Sequence, residues 1–385
     1  MYCKMKLLRI GHHFVLICLF HLFLLNACHN DSNIDRQTKA ALTAVNLESA
    51  LGFRVAKADG YKLLELLTVE DQRVYQSFCL VDQNGFVPHD LPENIKIIPI
   101  PVKSMVCLSA THIAFADALG LMDKIVGVAS ADYVFSARFS DLVSAGNIKE
   151  IGIADHFKLE ELIHLMPGVV LTNAQEGQNY ELLRKAGLTV IPVADYLEND
   201  PLGRVEWLRF FGLLFGKEEE ASALFDSIKT DYNRLKSLAA QVTERPVVLS
   251  GKQYGGFWNL PGGKSYLATM LHDAGAKYLW QDNPDTGSLT LDFETVYYRG
   301  VDADYWRFLM YSPDDFSYGE LLAEDARYAG FKAFKTKKVF FCNTFKKPYF
   351  QKGALEPHVL LADYIFMFHP ELMPGYQPVY YEFLK

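Results

Sequence analysis

KEEEASALFDSIKTDYNRLKSLAAQ, residues 217–241, places Ala221, Leu224, Phe225, Ile228, Tyr232, Leu235 and Leu238 on one stripe, the three- and four-residue spacing of an amphipathic α-helix. At 1.5 Å per residue such a helix is about 37 Å long, roughly the width of a small domain. It stands near the midpoint of a 385-residue chain, between two stretches of similar character. A strut joining two lobes is the working reading; a helix lying on one sheet is the plainer one. Glu218, Glu219 and Glu220 suit the positive end of its dipole, Lys229, Arg234 and Lys236 populate its later turns, and Pro246 lies beyond its end.

With 50% apolar and 14% aromatic residues the chain is able to bury a large core, and its length suggests two or three domains. Residues 1–27 read as a targeting segment: Lys4, Lys6 and Arg9 precede an uncharged apolar run over 14–25, too short for a comfortable membrane span. Leu25-Asn26-Ala27-Cys28 resembles a bacterial lipobox, with Asn26 where a small residue is usual, so Cys28 is the expected lipidation site. A cleaved secretory signal without lipid is the alternative. Residues 28–43 are polar and read as a tether. Removing residues 1–27 takes three of the 38 basic side chains and none of the 46 acidic ones, leaving 35 against 46 and a net charge of −11. Such a surface repels nucleic acid. Cys79, Cys107 and Cys342 remain, an odd number that implies no disulfide framework.

In residues 44–102, apolar runs at 61–69, 74–82 and 95–100 are broken by turn residues. Asp59-Gly60 favours a hairpin joining 53–55 to 61–67, and the unit reads as a small antiparallel, β-rich extension. From residue 103 short apolar runs alternate with helical stretches. Strands are expected at 105–109, 125–128, 169–172 and 189–192, and helices at 111–119, 159–165 and 180–186. Repeated strand-helix-strand units imply a parallel sheet with right-handed crossovers. A helix over 203–215 precedes the strut. Beyond it, strands at 247–250, 305–310 and 338–341 alternate with helices at 265–274, 292–298 and 358–368. The expected architecture is α/β: two Rossmann-like lobes, 103–202 and 246–385, joined by connecting helices over 203–245, with the β extension at 44–102.

The segment KSMVCLSATHIAFADALGLMDKIVGVAS, residues 103–130, resembles the opening of the helical-backbone class of ABC-importer binding proteins. Lys158-Leu159-Glu160-Glu161-Leu162 followed by Met166-Pro167-Gly168-Val169-Val170 is similar to that family's helix with a leading Glu and its PDLV strand, with Gly168 where Asp is common. Asp273-Ala274-Gly275, Leu291-Asp292-Phe293-Glu294, and Leu360-Leu361-Ala362-Asp363 with His369-Pro370-Glu371 resemble its later patterns. The likeness covers about residues 103–385; the extension is an addition to it. It implies a periplasmic, lipid-anchored monomer without a cofactor, which captures cobalamin, haem, a ferric siderophore or another metal chelate and delivers it to a permease dimer. It also implies that Glu160 and Glu294, one at a helix start on each lobe, pair with arginines of that permease. Helix capping is the plainer reading of either glutamate alone.

For the ligand, loops that follow strands at the cleft edge are the expected place. They supply Ser109, Thr111, Tyr133, Tyr196, Tyr254, Phe257 and Trp258, with Trp306 a further candidate. Aromatic faces suit a large, flat or metal-chelated ligand; core packing is the ordinary role of each singly. The retained histidines, His29, His89, His112, His156, His164, His272, His358 and His369, show no metal-site spacing. Only His112, beside the first loop, is placed to ligate a bound haem or cobalt, and a capping role is the plainer one. Gly263-Lys264-Ser265 lacks the first glycine of a phosphate loop, because that position is Trp258, and no G-x-S-x-G elbow occurs. A periplasmic enzyme on a two-lobed scaffold, and a surface lipoprotein passing ligand to an outer-membrane receptor, are the competing readings; Asp31 and Asp35 near Cys28 suit the latter.

Overall fold

The computed structural model describes residues 42–385 apart from 84, 86, 88–90, 93–94, 133, 153–156 and 175–179, so Cys28 and Tyr133 lie outside the described residues. Strands β1 (Thr43–Val45), β2 (Phe53–Ala58), β3 (Tyr61–Leu67) and β4 (Val74–Asp82) form an antiparallel meander. Asp59-Gly60 makes the two-residue turn between β2 and β3, with Gly60 at φ 82°, a left-handed conformation that costs glycine nothing. The extension is not purely antiparallel: β5 (Lys96–Ile100) pairs parallel to β4. The 13-residue connection over 83–95 is long enough for the crossover that a parallel pair requires.

Lobe one runs β6 (Met105–Cys107), α1 (Ala110–Ala118), β7 (Ile125–Val128), α2 (Ala137–Ser144), β8 (Lys149–Glu150), α3 (Leu159–Leu165), β9 (Val169–Asn173), α4 (Glu181–Lys185) and β10 (Val190–Val193). Its strands are parallel in the order β10-β9-β6-β7-β8. β6, β9 and β10 are apolar and almost wholly buried, as strands covered on both faces must be. The order reverses between β6 and β9, which opens a crevice at their carboxyl ends.

Two helices leave this lobe. Asp200 caps α5 (Pro201–Phe215) by accepting from the N–H groups of Leu202 and Gly203, with Pro201 in the first turn. All of α5 except Arg209 is buried, as expected of a helix apolar on every side. Gly216, at φ 66°, reverses the chain into α6 (Glu218–Ala239). A Cβ on Gly212 would stand 2.7 Å from that of Ala221, so glycine is what lets the two helices touch here. The 22 residues of α6 span about 33 Å. Near its start Glu218 pairs with Lys62 of β3 at 2.7 Å. Toward its end Tyr232 donates to Asp273 at 2.9 Å and Lys236 pairs with the same carboxylate at 3.1 Å, which belongs to lobe two. The strut is therefore the outer arm of a helical hairpin, with α5 as its buried inner arm.

Lobe two contains β11 (Val247–Ser250), β12 (Lys252–Tyr254), β13 (Phe257–Pro261), α7 (Tyr266–Asp273), β14 (Lys277–Tyr278), β15 (Ser288–Leu291), α8 (Phe293–Gly300), β16 (Tyr305–Met310), α9 (Tyr318–Glu324), α10 (Lys332–Lys335), β17 (Val339–Asn343), α11 (Tyr349–Lys352), α12 (Pro357–Phe368) and β18 (Glu382–Phe383). The main sheet has the order β14-β11-β16-β17-β18, parallel except for β18. Here the order reverses between β11 and β16. A separate antiparallel sheet, β12-β13-β15, flanks it.

The extension is fixed to α5 and the turn before it by two buried carboxylates. Glu206 accepts from the N–H groups of Glu48, Ser49 and Ala50 at 2.7–2.9 Å, and Glu198 from those of Leu51 and Gly52 and from Trp207 Nε1 at 2.8–3.0 Å. Phe53 of β2 packs on Trp207 with ring centroids 4.7 Å apart. Burial pushes the Glu198 carboxyl above its usual range, against the opposing pull of the Gly52 and Leu51 donors.

Candidate functional site

Both sheet reversals face one cleft of about 1670 Å³. From lobe one it takes Ser109 and Thr111, just past β6, and Asn173 at the end of β9; from lobe two it takes Ser250 and Gly251 around the end of β11, and Met310 and Tyr311 around the end of β16. Ser109 and Thr111 hydroxyls are 3.0 Å apart, and Thr111 donates to Asp195 at 3.5 Å. Tyr196, in the short turn after β10, also lines the cleft.

Two buried guanidiniums face this space. Arg204 of α5, 8% exposed, reaches Asp195 at 3.4 Å and lies 4.4 Å over the ring of Tyr266 at the start of α7. Its Nε is buried without a hydrogen-bond partner. Arg307 of β16 donates from Nε to Tyr381 at 2.9 Å, from Nη1 to Ser250 at 3.2 Å and from Nη2 to Tyr349 at 3.3 Å. Among the described residues its hydrogen-bond partners are hydroxyls, which orient a guanidinium without neutralising it. Lys252, by contrast, is paired with Glu324 at 2.6 Å. An anion entering the cleft meets two oriented, buried cations, Arg307 held by hydroxyls alone and Arg204 partly offset by Asp195, and burial is the condition under which charge-assisted hydrogen bonds are strongest.

The sequence candidates divide. Ser109, Thr111, Tyr196 and Tyr254 line the cleft. Gly255 and Gly256, at φ 59° and 88°, close a tight hairpin between β12 and β13, where a loop was expected; two glycines between paired strands are the signature of such a turn. It leaves Tyr254 84% and Phe257 57% exposed at its tip, and Phe257 does not line the cleft. Trp258 and Trp306 must be corrected. Both are fully buried, their rings 5.5 Å apart in a cluster with Tyr328 and Phe331, and their Nε1 donors are used on Ser250 and Gly251 carbonyls. In each strand the tryptophan packs inward while the next residue, Asn259 or Arg307, lines the cleft, as successive strand residues point to opposite faces. His112 is also buried, packed 6.2 Å from Phe211, with Asp195 3.9 Å away. It does not line the cleft, and burial holds its imidazole down at about 4, so the ring is neutral near pH 7. Glu160 and Glu294 are exposed and occupy the same place, second residue of α3 and of α8. Glu294 also pairs with Arg327 at 3.1 Å.

A model of the family described as periplasmic binding protein matches residues 105–344. The chain belongs to that family. Two lipoproteins of Methanocaldococcus jannaschii, both described as uncharacterized, are similar over most of the chain. MJ0878 is 28% identical over 78% of this chain and 74% of its own, and MJ0872 is 27% identical over 89% and 90%. Among solved structures, an ABC transporter substrate-binding protein of Listeria monocytogenes superposes with a TM-score of 0.56 at 18% identity, over 70% of this chain and 99% of its own. A periplasmic heme binding protein of Pseudomonas aeruginosa gives 0.56 at 16% identity, over 72% and 96%. These likenesses establish the two-lobed fold.

Arg204, Arg307, Tyr266 and Tyr349 also line the cleft, and none is among the residues expected from sequence. The signal for the arginines was present: Arg307 interrupts the apolar run YWRFLM, and Arg204 and Glu206 interrupt the apolar helix PLGRVEWLRFFGLLF. A charge inside an otherwise buried element is retained only when something compensates it. Tyr266 and Tyr349 carry no such signal, because long-range folding alone brings them to the cleft.

Proposed function

We propose that this periplasmic binding protein is tethered to the membrane through Cys28, captures between its lobes a bulky iron or cobalt chelate that presents anionic oxygens, and hands it to an ABC permease. The observation that carries the reading is the pair of buried guanidiniums, Arg204 and Arg307, that line a tyrosine-rich cleft of about 1670 Å³. Tyrosine rings supply contact area at small entropic cost, and an oriented guanidinium favours carboxylate, catecholate or propionate oxygens. Structural relatives described as heme-binding and as an Fe3+-hydroxamate transport system support the ligand class, and relatives described as lipoproteins support the tether. Exposed Glu160 and Glu294 at matching helix starts support delivery to a permease.

The test is direct, because the candidate ligands are coloured. Purified protein incubated with haemin, a ferric trihydroxamate, a ferric triscatecholate or cyanocobalamin and then desalted is expected to retain one of them at one per chain. Retention of none would overturn the ligand class, and turnover of the compound would replace capture by catalysis.

A further inference from the structure

The N-terminal sheet does more than decorate lobe one. Residues 67–70, at the end of β3 and the start of the β3–β4 turn, and Tyr75 on β4 border the same cleft as the two lobes. Resting on the reading of that cleft as the ligand site, we infer that this turn is a third wall which touches the bound chelate through Tyr75 and Glu70 and helps select it.

The turn is built to hold a shape. Thr68 N–H donates to Arg73 O at 3.0 Å and Gln72 N–H to Thr68 O at 2.9 Å. The Gln72 amide donates to the carbonyls of Leu51 and Val69 at 3.1 Å, tying the turn to the segment that Glu206 and Glu198 hold. The backbone of Gln72 takes φ 56° to do so. Beyond the turn, Gln76 donates to Val190 O at 3.4 Å and Lys96 to Leu188 O at 3.1 Å, so the sheet is fastened to the β10 edge of lobe one. A wall fixed in this way loses little freedom when ligand arrives, which is what a selecting surface requires. Tyr75, 42% exposed, lines the cleft, as do Tyr196 and Arg184 of α4. These three give the cleft two aromatic members and one cationic member, of which the extension contributes Tyr75 and lobe one the other two. Glu70, exposed and lining the cleft, adds a negative edge that disfavours chelates carrying negative charge on that side.

The experiment compares full-length wild type with Tyr75→Ala, Tyr75→Phe, Glu70→Gln and Lys57→Ala, an exposed control on β2, by titration with the same four coloured chelates. Tyr75→Ala is expected to weaken the retained chelate tenfold or more. Tyr75→Phe should keep most of the affinity, and Glu70→Gln should change the ranking among chelates. Lys57→Ala is expected to do neither, and all variants should melt within a few degrees of wild type. If wild type binds a chelate and neither Tyr75→Ala nor Glu70→Gln alters its affinity or ranking, the third wall is overturned while the ligand reading stands. If wild type binds none of them, both fall together.

Discussion

Replacing Glu160 and Glu294 together with lysine is expected to abolish uptake while leaving ligand affinity within about twofold of wild type. Each carboxylate is the second residue of its helix, where it faces the positive end of the dipole. Reversal there costs stability of only about 0.3–1 kcal/mol per site. The ion pair of Glu294 with Arg327 is exposed and adds little more. Neither residue lines the cleft, so binding should survive. At a docking surface the same change turns two attractive contacts into two repulsive ones, which costs far more than either helix loses. Uptake of radiolabelled chelate by cells or permease-containing vesicles, beside a solution titration, separates the two readouts. Unchanged uptake would reduce both glutamates to helix capping.

The fold was legible where one periodicity governs a whole element. The stripe over 217–241 appears as α6, and the alternating runs after residue 103 appear as parallel sheets, because burial on both faces forces continuous apolar strands. Asp59-Gly60 announced its hairpin for a similarly local reason. What failed were choices that depend on which face of a strand looks inward. Trp258 and Trp306 were attractive as ligand contacts, and each was one residue away from the side chain that reaches the cleft. A strand offers its two faces alternately, so a one-residue error exchanges core for site. The third wall was invisible for another reason. Its position rests on Glu198 and Glu206 meeting the N–H groups of residues 48–52, partners separated by nearly 150 positions or more, and no local pattern encodes such a pairing.

That clamp gives the second large expectation: Glu206→Ala should destabilise the protein by about 3–5 kcal/mol. Glu206 is fully buried and accepts from three successive backbone N–H groups and from Arg209 at 2.8 Å. Alanine removes the acceptor and leaves the Ala50 donor buried with nothing to bond, at a penalty of about 1–3 kcal/mol for each such group. Arg209 is cushioned, because Glu48 stands 3.2 Å from it. Glu206→Gln, which keeps one acceptor oxygen, should cost about half as much. Urea unfolding followed by tryptophan fluorescence reports this well, since Trp207 lies in the same cluster. A loss below about 1 kcal/mol for Glu206→Ala would mean that water replaces the carboxylate and that the extension is held chiefly by Phe53 on Trp207.

If ligand is held between the lobes by oriented guanidiniums, their exact shape matters as well as their charge. The measurement that tests this most directly is the dissociation constant of the retained chelate for wild type, Arg204→Lys and Arg307→Lys. Lysine keeps the charge and loses the planar fork, so each variant is expected to fold as wild type does and to bind about ten- to a hundredfold more weakly, the loss of one charge-assisted contact. Wild-type affinity in both variants would place the ligand elsewhere and contradict the account.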